Sequence, residues 1–91
     1  NVASANDLTL GGAGNVFTIT GTTTINAIAT ANWQAGSEIA LIFSGILTLK
    51  NNTSGGAGTA KILLRAGADM TTAANKCVKL IYNGTNWIQP D

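Results

Sequence analysis

Histidine is absent from this 91-residue sequence, and Cys77 is its single cysteine. The chain therefore supplies no His–Ser or His–Cys catalytic couple, no zinc site built from histidine and cysteine, and no internal disulfide. The four acidic residues are far apart in the sequence and suggest no carboxylate pair of the kind that glycosidases use. We predict no catalytic residue, no metal site and no cofactor, and we expect that the protein is not an enzyme. A packing role is expected for Cys77.

Charge is also scarce, because only 10% of the residues are charged and the formal net charge is +1. A balance this close to neutral provides no basic field toward phosphates, so we expect no nucleic-acid partner. The longest apolar run, residues 39–43, has the length of a strand and falls far short of the ~18–20 residues that span a bilayer. No membrane insertion is therefore predicted.

The length and the first residues of the chain bear on its organisation. A chain of 91 residues has room for one small core, so residues 1–91 are predicted to form a single β domain. The only methionine is Met70, and no secretory signal opens the sequence. We expect the chain to be the C-terminal fragment of a longer protein.

What the sequence does contain is typical of β-structure, because threonine, isoleucine and valine are frequent and glycine or asparagine interrupts every run. The strongest local signal is Asn83-Gly84 between residues 78–82 and 85–88, which predicts a hairpin with a two-residue turn. This register places Leu80 opposite Trp87. Val78, Leu80, Tyr82 and Trp87 then share one face, which is predicted to belong to the core.

Two further hairpins are predicted. One joins residues 38–43 to residues 46–50 through Ser44-Gly45, and the other joins residues 16–20 to residues 24–28 through a three-residue loop. Residues 39–45 match residues 78–84 at a constant offset of 39, which we interpret as two equivalent corners of one domain. With further strands at residues 7–10 and 60–65, the sequence predicts an all-β fold, a small antiparallel β-sandwich built from hairpins.

The second predicted hairpin is apolar on both faces. A two-residue turn at Ser44-Gly45 sets the register so that Ile39, Leu41, Phe43 and Ile46 share one face, and Ala40, Ile42, Leu47 and Leu49 share the other. Strands that are apolar on both faces need cover on both sides. In so small a domain, we expect the second cover to come from another copy of the chain.

Among the aromatic residues, Trp33 and Tyr82 are candidate glycan contacts, because tryptophan and tyrosine rings form the usual platforms for sugars. Trp33 lies in a connection between predicted strands, and both a packing role at the sandwich edge and a ligand contact remain open for it. Trp87 is predicted to be structural, because it lies on the core face.

The sequence of residues 18–26, 33–43 and 80–87 resembles the C-terminal module of bacteriophage and prophage tail fibres and tailspikes. The resemblance extends from about Asp7 to Trp87, and the closing Asn-Gly-Thr-Asn-Trp is its most specific part. It implies a β-rich homotrimer at the distal end of a fibre, located on the virion and extracellular after release. It also implies roles in trimer assembly and in contact with the host surface, without catalytic residues. Lys76-Cys77 departs from the family pattern, so no ligand is carried over to that loop.

Combining the resemblance with the two apolar faces predicts a trimerisation and distal tip module of a phage tail fibre or tailspike. Ile42, Leu47, Leu49 and Ile81 are then the predicted trimer interface residues. The alternative is a carbohydrate-binding module that recognises bacterial surface polysaccharide through Trp33 and Tyr82. The two functions are compatible in one protein.

Overall fold

Ten β-strands form the regular structure of the chain in a computed structural model that describes residues 2–11, 14–31 and 33–90. Eight strands form one mixed sheet in the order β1-β3-β5-β9-β10-β7-β4-β2, and β6 and β8 form a two-stranded ribbon. The strands are β1 (Val2–Ala3), β2 (Asp7–Leu8), β3 (Val16–Thr20), β4 (Ala27–Ala29), β5 (Glu38–Phe43), β6 (Thr48–Leu49), β7 (Thr59–Leu63), β8 (Met70–Thr71), β9 (Cys77–Tyr82) and β10 (Trp87–Ile88). The all-β class is therefore confirmed. No helix able to span a membrane occurs in the described ranges.

The eight-stranded sheet is curled, as the positions of its two outermost strands require. β1 and β2 lie at opposite ends of the strand order, yet only residues 4–6 connect them. In a flat sheet the two strands would be roughly 33 Å apart, whereas the connection spans at most about 14 Å. Hydrogen bonds hold the connection to both sides: the Ser4 amide donates to the Thr20 carbonyl, and the Asn6 carbonyl accepts from the Asn26 amide.

The inner face of the curled sheet encloses the core. Alternation along β5 buries Ile39, Leu41 and Phe43, as the sequence predicts. Trp87 is the largest fully buried side chain, and its indole Nε1 donates to the Ile28 carbonyl at 3.2 Å. The ring therefore fills the interior without leaving its polar atom unpaired. The other core residues are Leu8, Leu10, Ile19, Ile25, Ile28, Leu47, Leu49, Ala60, Ile62, Leu64, Val78 and Leu80.

The predicted hairpin at the end of the chain is confirmed, with a different register. β9 and β10 are antiparallel, and Trp87 pairs with Tyr82 rather than with Leu80. Residues 83–86 therefore form the loop. Within it the Asn83 amide donates to the Asn86 carbonyl, and the Asn83 side-chain Oδ1 accepts hydrogen bonds from the Thr85 and Asn86 amides. Since the register differs by two residues, the predicted face is preserved.

The other two predicted hairpins are wrong. Residues 16–20 form β3, which lies parallel to β1 and β5, whereas β4 pairs with β2 and β7. β5 pairs with β3 and β9, and β6 pairs with β8 in the ribbon. The sheet is thus mixed, with parallel pairs that short loops cannot produce.

The chain does not reverse at Ser44-Gly45, because Ser44 is attached to a neighbouring strand. Its amide and its hydroxyl both donate to the Ile19 carbonyl at 3.0 Å, which holds the end of β5 against β3. The repeat with an offset of 39 also has a different meaning from the one predicted. Its two copies are β5 and β9, which pair with each other, with Ile39 opposite Leu80.

Candidate functional site

The convex side of the central strands carries a mixed, partly apolar surface, here called the outer face. Its side chains alternate with those that fill the core, and cross-strand register aligns them in rows such as Glu38, Ile81 and Ile88. Val16 is 61% exposed, and Ile42 and Ile81 are half-buried. The outer face comprises Val16, Thr18, Glu38, Ala40, Ile42, Cys77, Lys79, Ile81 and Ile88.

The structure divides the four predicted interface residues into two pairs. Ile42 and Ile81 lie on the outer face and retain solvent-accessible surface. Leu47 is only 4% exposed and Leu49 is fully buried, so these two side chains belong to the core of the chain rather than to an accessible surface. The expected alternation ends at Gly45, after which β6 joins the ribbon and Ile46 is 66% exposed instead of buried.

The register of the last hairpin already predicts Ile88 on the same face as Lys79 and Ile81, and the structure places it there. Val16 was placed in a strand, but its position beside Ala40 depends on the pairing of β3 with β5, which are distant in the sequence. Cys77 was expected to pack near a buried face, whereas it is exposed and pairs with Ile42 at the margin of the outer face. Its strand position was correct, but alternation from Val78 gives it the solvent side.

The two candidate glycan contacts pack around one buried ring. Trp33 makes an edge-to-face contact with Trp87 at a centroid distance of 5.9 Å and another with Phe17 at 6.1 Å. Tyr82 lies 4.9 Å from Trp87, and its hydroxyl donates to the Gly84 carbonyl at 3.1 Å. Of the two alternatives for Trp33, these contacts favour packing.

A cleft of about 610 Å³ with a mixed polar and apolar lining lies beside β7, and we call it the β7 cleft. One wall is the loop that follows β6, the other is the turn between β9 and β10, and β7 forms the floor. Its lining residues are Asn52, Ser54, Gly55, Thr59, Ala60, Lys61, Leu63, Thr85 and Asn86. Neither Trp33 nor Tyr82 lines it.

The loop wall of the β7 cleft is held by several hydrogen bonds. The Asn52 amide donates to the Ile62 carbonyl at 2.7 Å, and the Asn51 side chain accepts from the Leu64 amide. The Asp69 carboxylate accepts from the Asn51 amide at 2.8 Å and forms an ion pair with Lys50 at 3.2 Å. The amide hydrogen bond, followed by the Lys50 contact, lowers the pKa of Asp69 below its usual value of 3.8.

The glycine-rich segments show no phosphate-loop geometry in the part that the structure describes. The second, residues 55–58, precedes β7 rather than a helix, so it lacks the helix N-terminus that binds phosphate in such loops. Residues 12 and 13 of the first lie outside the described residues. Across the described ranges, no group of three or more histidine, cysteine, aspartate or glutamate side chains could hold a metal ion.

Comparison of the chain with protein-family models, with curated proteins and with solved structures finds no match. Functional inference therefore depends on the sequence and on the geometry described above.

Proposed function

We propose that the chain is a trimerisation and distal tip module of a phage tail fibre or tailspike, supporting fibre assembly and attachment to the host surface. The main support for this proposal is the partly exposed apolar surface of the outer face. Its strands β5 and β9 already fill the core with one set of side chains, yet Ile42 and Ile81 on the opposite side remain partly exposed. Apolar side chains that stay accessible across neighbouring strands are a feature of protein interfaces.

Symmetric association of identical chains would bury the exposed apolar side chains of the outer face. In a closed homotrimer the same residues of each copy become buried, so a single chain supplies all the apolar surface needed. The low charge of the outer face fits this arrangement, since Glu38 and Lys79 are its only charged residues. Threefold closure and the location on the virion come from the resemblance of residues 18–26, 33–43 and 80–87 to tail-fibre modules.

Light scattering on a sizing column tests this proposal. The expected mass of the wild-type protein is about 28 kDa, three times the chain mass of 9.2 kDa. The Ile42→Asp variant should elute as a monomer, because association would bury an unpaired carboxylate. The matched control is Ile46→Asp, an identical change at a residue that is 66% exposed outside the outer face, and this variant should remain trimeric.

Tryptophan fluorescence of each variant verifies that the core around Trp87 is intact. A monomeric wild-type protein, or a stable trimer that carries Ile42→Asp, would refute the proposal. The alternative function, glycan recognition through Trp33 and Tyr82, has less support, because the contacts of both rings with Trp87 occupy part of their surfaces.

A further inference from the structure

We infer that the β7 cleft binds an acidic saccharide unit, a ring that carries several hydroxyl groups and one carboxylate. This inference does not depend on the proposed trimer and uses neither Trp33 nor Tyr82. The volume of about 610 Å³ lies within the range of roughly 300–1,000 Å³ that is usual for ligand sites. Most sites of that size are lined by apolar and aromatic side chains. The β7 cleft differs, because no aromatic side chain lines it and five of its nine lining residues carry an amide or a hydroxyl group.

Hydrogen-bonding groups on both walls are free to meet a ligand. The side chains of Asn52, Ser54, Thr85 and Asn86 make no hydrogen bond with the rest of the described chain. Amides and hydroxyls both donate and accept hydrogen bonds, as the hydroxyl groups of a sugar also do. Two walls with such groups therefore match a polyhydroxylated ring better than they match an apolar ligand.

Lys61 determines the charge of the expected ligand. It is the only charged residue in the lining, and it forms no ion pair within the described part of the chain. In the cross-strand row of Lys61, Asp7 lies two strands away, and its carboxylate accepts a hydrogen bond from the Gly56 amide. A carboxylate on the ligand would supply the missing partner for the Lys61 amine.

Both walls are fixed in position before a ligand arrives. A Cβ atom on Gly55 would lie 2.6 Å from the Ala27 Cβ and 2.6 Å from the Asp7 Oδ1, so the loop backbone packs directly on β4 and β2. On the opposite wall, Asn83 holds the amides of Thr85 and Asn86 through its side chain. Such preorganisation reduces the entropy cost of binding.

A titration of the ¹⁵N-labelled protein, followed by amide chemical shifts, tests the inference. The probes are sodium glucuronate, glucose and sodium acetate at matched ionic strength. Glucuronate should shift the amide signals of Asn52, Lys61, Thr85 and Asn86 in a saturable manner. Glucose should bind about tenfold more weakly, since it lacks the carboxylate, and acetate should leave these signals unchanged.

Variants then assign the charge to Lys61. Lys61→Gln should weaken glucuronate binding about tenfold, to the affinity of glucose. The matched control is Lys79→Gln, an identical change on the outer face, and it should leave binding unchanged. Thr85→Ala provides a second test on the opposite wall and should weaken both sugars.

Three results would overturn the inference: no saturable shifts with glucuronate, equal shifts with acetate, or equal binding of glucose and glucuronate with no effect of Lys61→Gln. The mass of the same samples, measured by light scattering, reports on the trimer separately. A monomer that binds glucuronate would contradict only the proposed function, and a trimer that does not bind it would contradict only this inference.

Discussion

The buried hydroxyl of Thr72 should make an unusually large contribution to stability for a threonine. Thr72 is 2% exposed and lies immediately after β8. Its Oγ1 accepts a hydrogen bond from the Leu47 amide at 3.0 Å and donates to the Gly45 carbonyl at 2.9 Å. One side chain thus pairs two backbone groups in the segment where the chain leaves β5 for the ribbon.

Thr72→Val removes these two hydrogen bonds and preserves the shape of the side chain. The buried Leu47 amide left without a partner costs about 1–3 kcal/mol and the part-buried Gly45 carbonyl about 1 kcal/mol, so the expected loss is about 2–4 kcal/mol. The separate hydrogen bond from the Thr72 amide to the Leu47 carbonyl, at 2.8 Å, remains in the variant. A chain of this length has roughly 5–14 kcal/mol of total stability, so the loss is a large fraction of it.

Urea unfolding followed by tryptophan fluorescence measures this effect, at one fixed protein concentration because the stability of an oligomer depends on concentration. The control is Thr72→Ser, which retains the hydroxyl and loses one methyl group, for a cost of about 1 kcal/mol. The midpoint of thermal unfolding should fall by roughly 10–25 °C for Thr72→Val. The reasoning is refuted if the valine variant is as stable as the serine variant.

Two further predictions concern the loop wall of the β7 cleft. Gly55→Ala should destabilise the protein by about 1–3 kcal/mol in urea unfolding, because its Cβ would overlap Ala27 and Asp7. Gly11→Ala, where a Cβ meets nothing within 4 Å, is its control, and equal effects of the two changes would contradict the steric argument. Asp69→Asn should lower the urea midpoint at pH 7, and the difference from wild type should shrink as the pH falls below about 4. The sign follows from the lowered pKa of Asp69, since a carboxylate that is held ionised stabilises the fold above its usual pKa and loses this contribution on protonation. A difference that stays constant down to pH 2 would exclude this role.

Burial on the long strands could be predicted from the sequence because it is a local property. Alternation alone identifies the buried Leu41 and the half-buried Ile42 next to it, and it identifies Val78 and Leu80 in the same way. The Asn-Gly signal likewise identifies the β9–β10 hairpin, although the register is shifted by two residues and four residues rather than two lie between Tyr82 and Trp87.

Strand partners could not be predicted, because they depend on contacts between distant segments. The sequence contains turn signals at Ser44-Gly45 and after Thr20. Each is consistent with a hairpin, because the sequence does not show that a distant strand pairs with the same edge instead. In the structure β3 lies parallel to β5, and the apolar sides of the two strands pack on the same core. No local pattern distinguishes that arrangement from a hairpin, since the alternation along β3 and β5 is the same in both.

The β7 cleft could not be predicted for the same reason. Its floor and its two walls come from three separate segments, and the parallel pairing of β7 with β10 brings them together. Asn52, Lys61 and Asn86 were therefore individually unremarkable in the sequence. Sequence reasoning selected aromatic side chains as glycan contacts, whereas the structure uses those rings to enclose Trp87.

The sheet order separates the two proposed functions in space. Ile42 lies on β5 and Lys61 on β7, and β9 and β10 lie between them. With strands spaced about 4.8 Å apart, three steps separate β5 from β7 by roughly 14 Å across the sheet. A subunit contact centred on β5 and β9 can therefore bury Ile42 and Ile81 while the β7 cleft stays open. A contact centred on β10 would cover Leu63 and close the cleft, so saccharide binding by the trimer requires an interface on the β3–β5–β9 side.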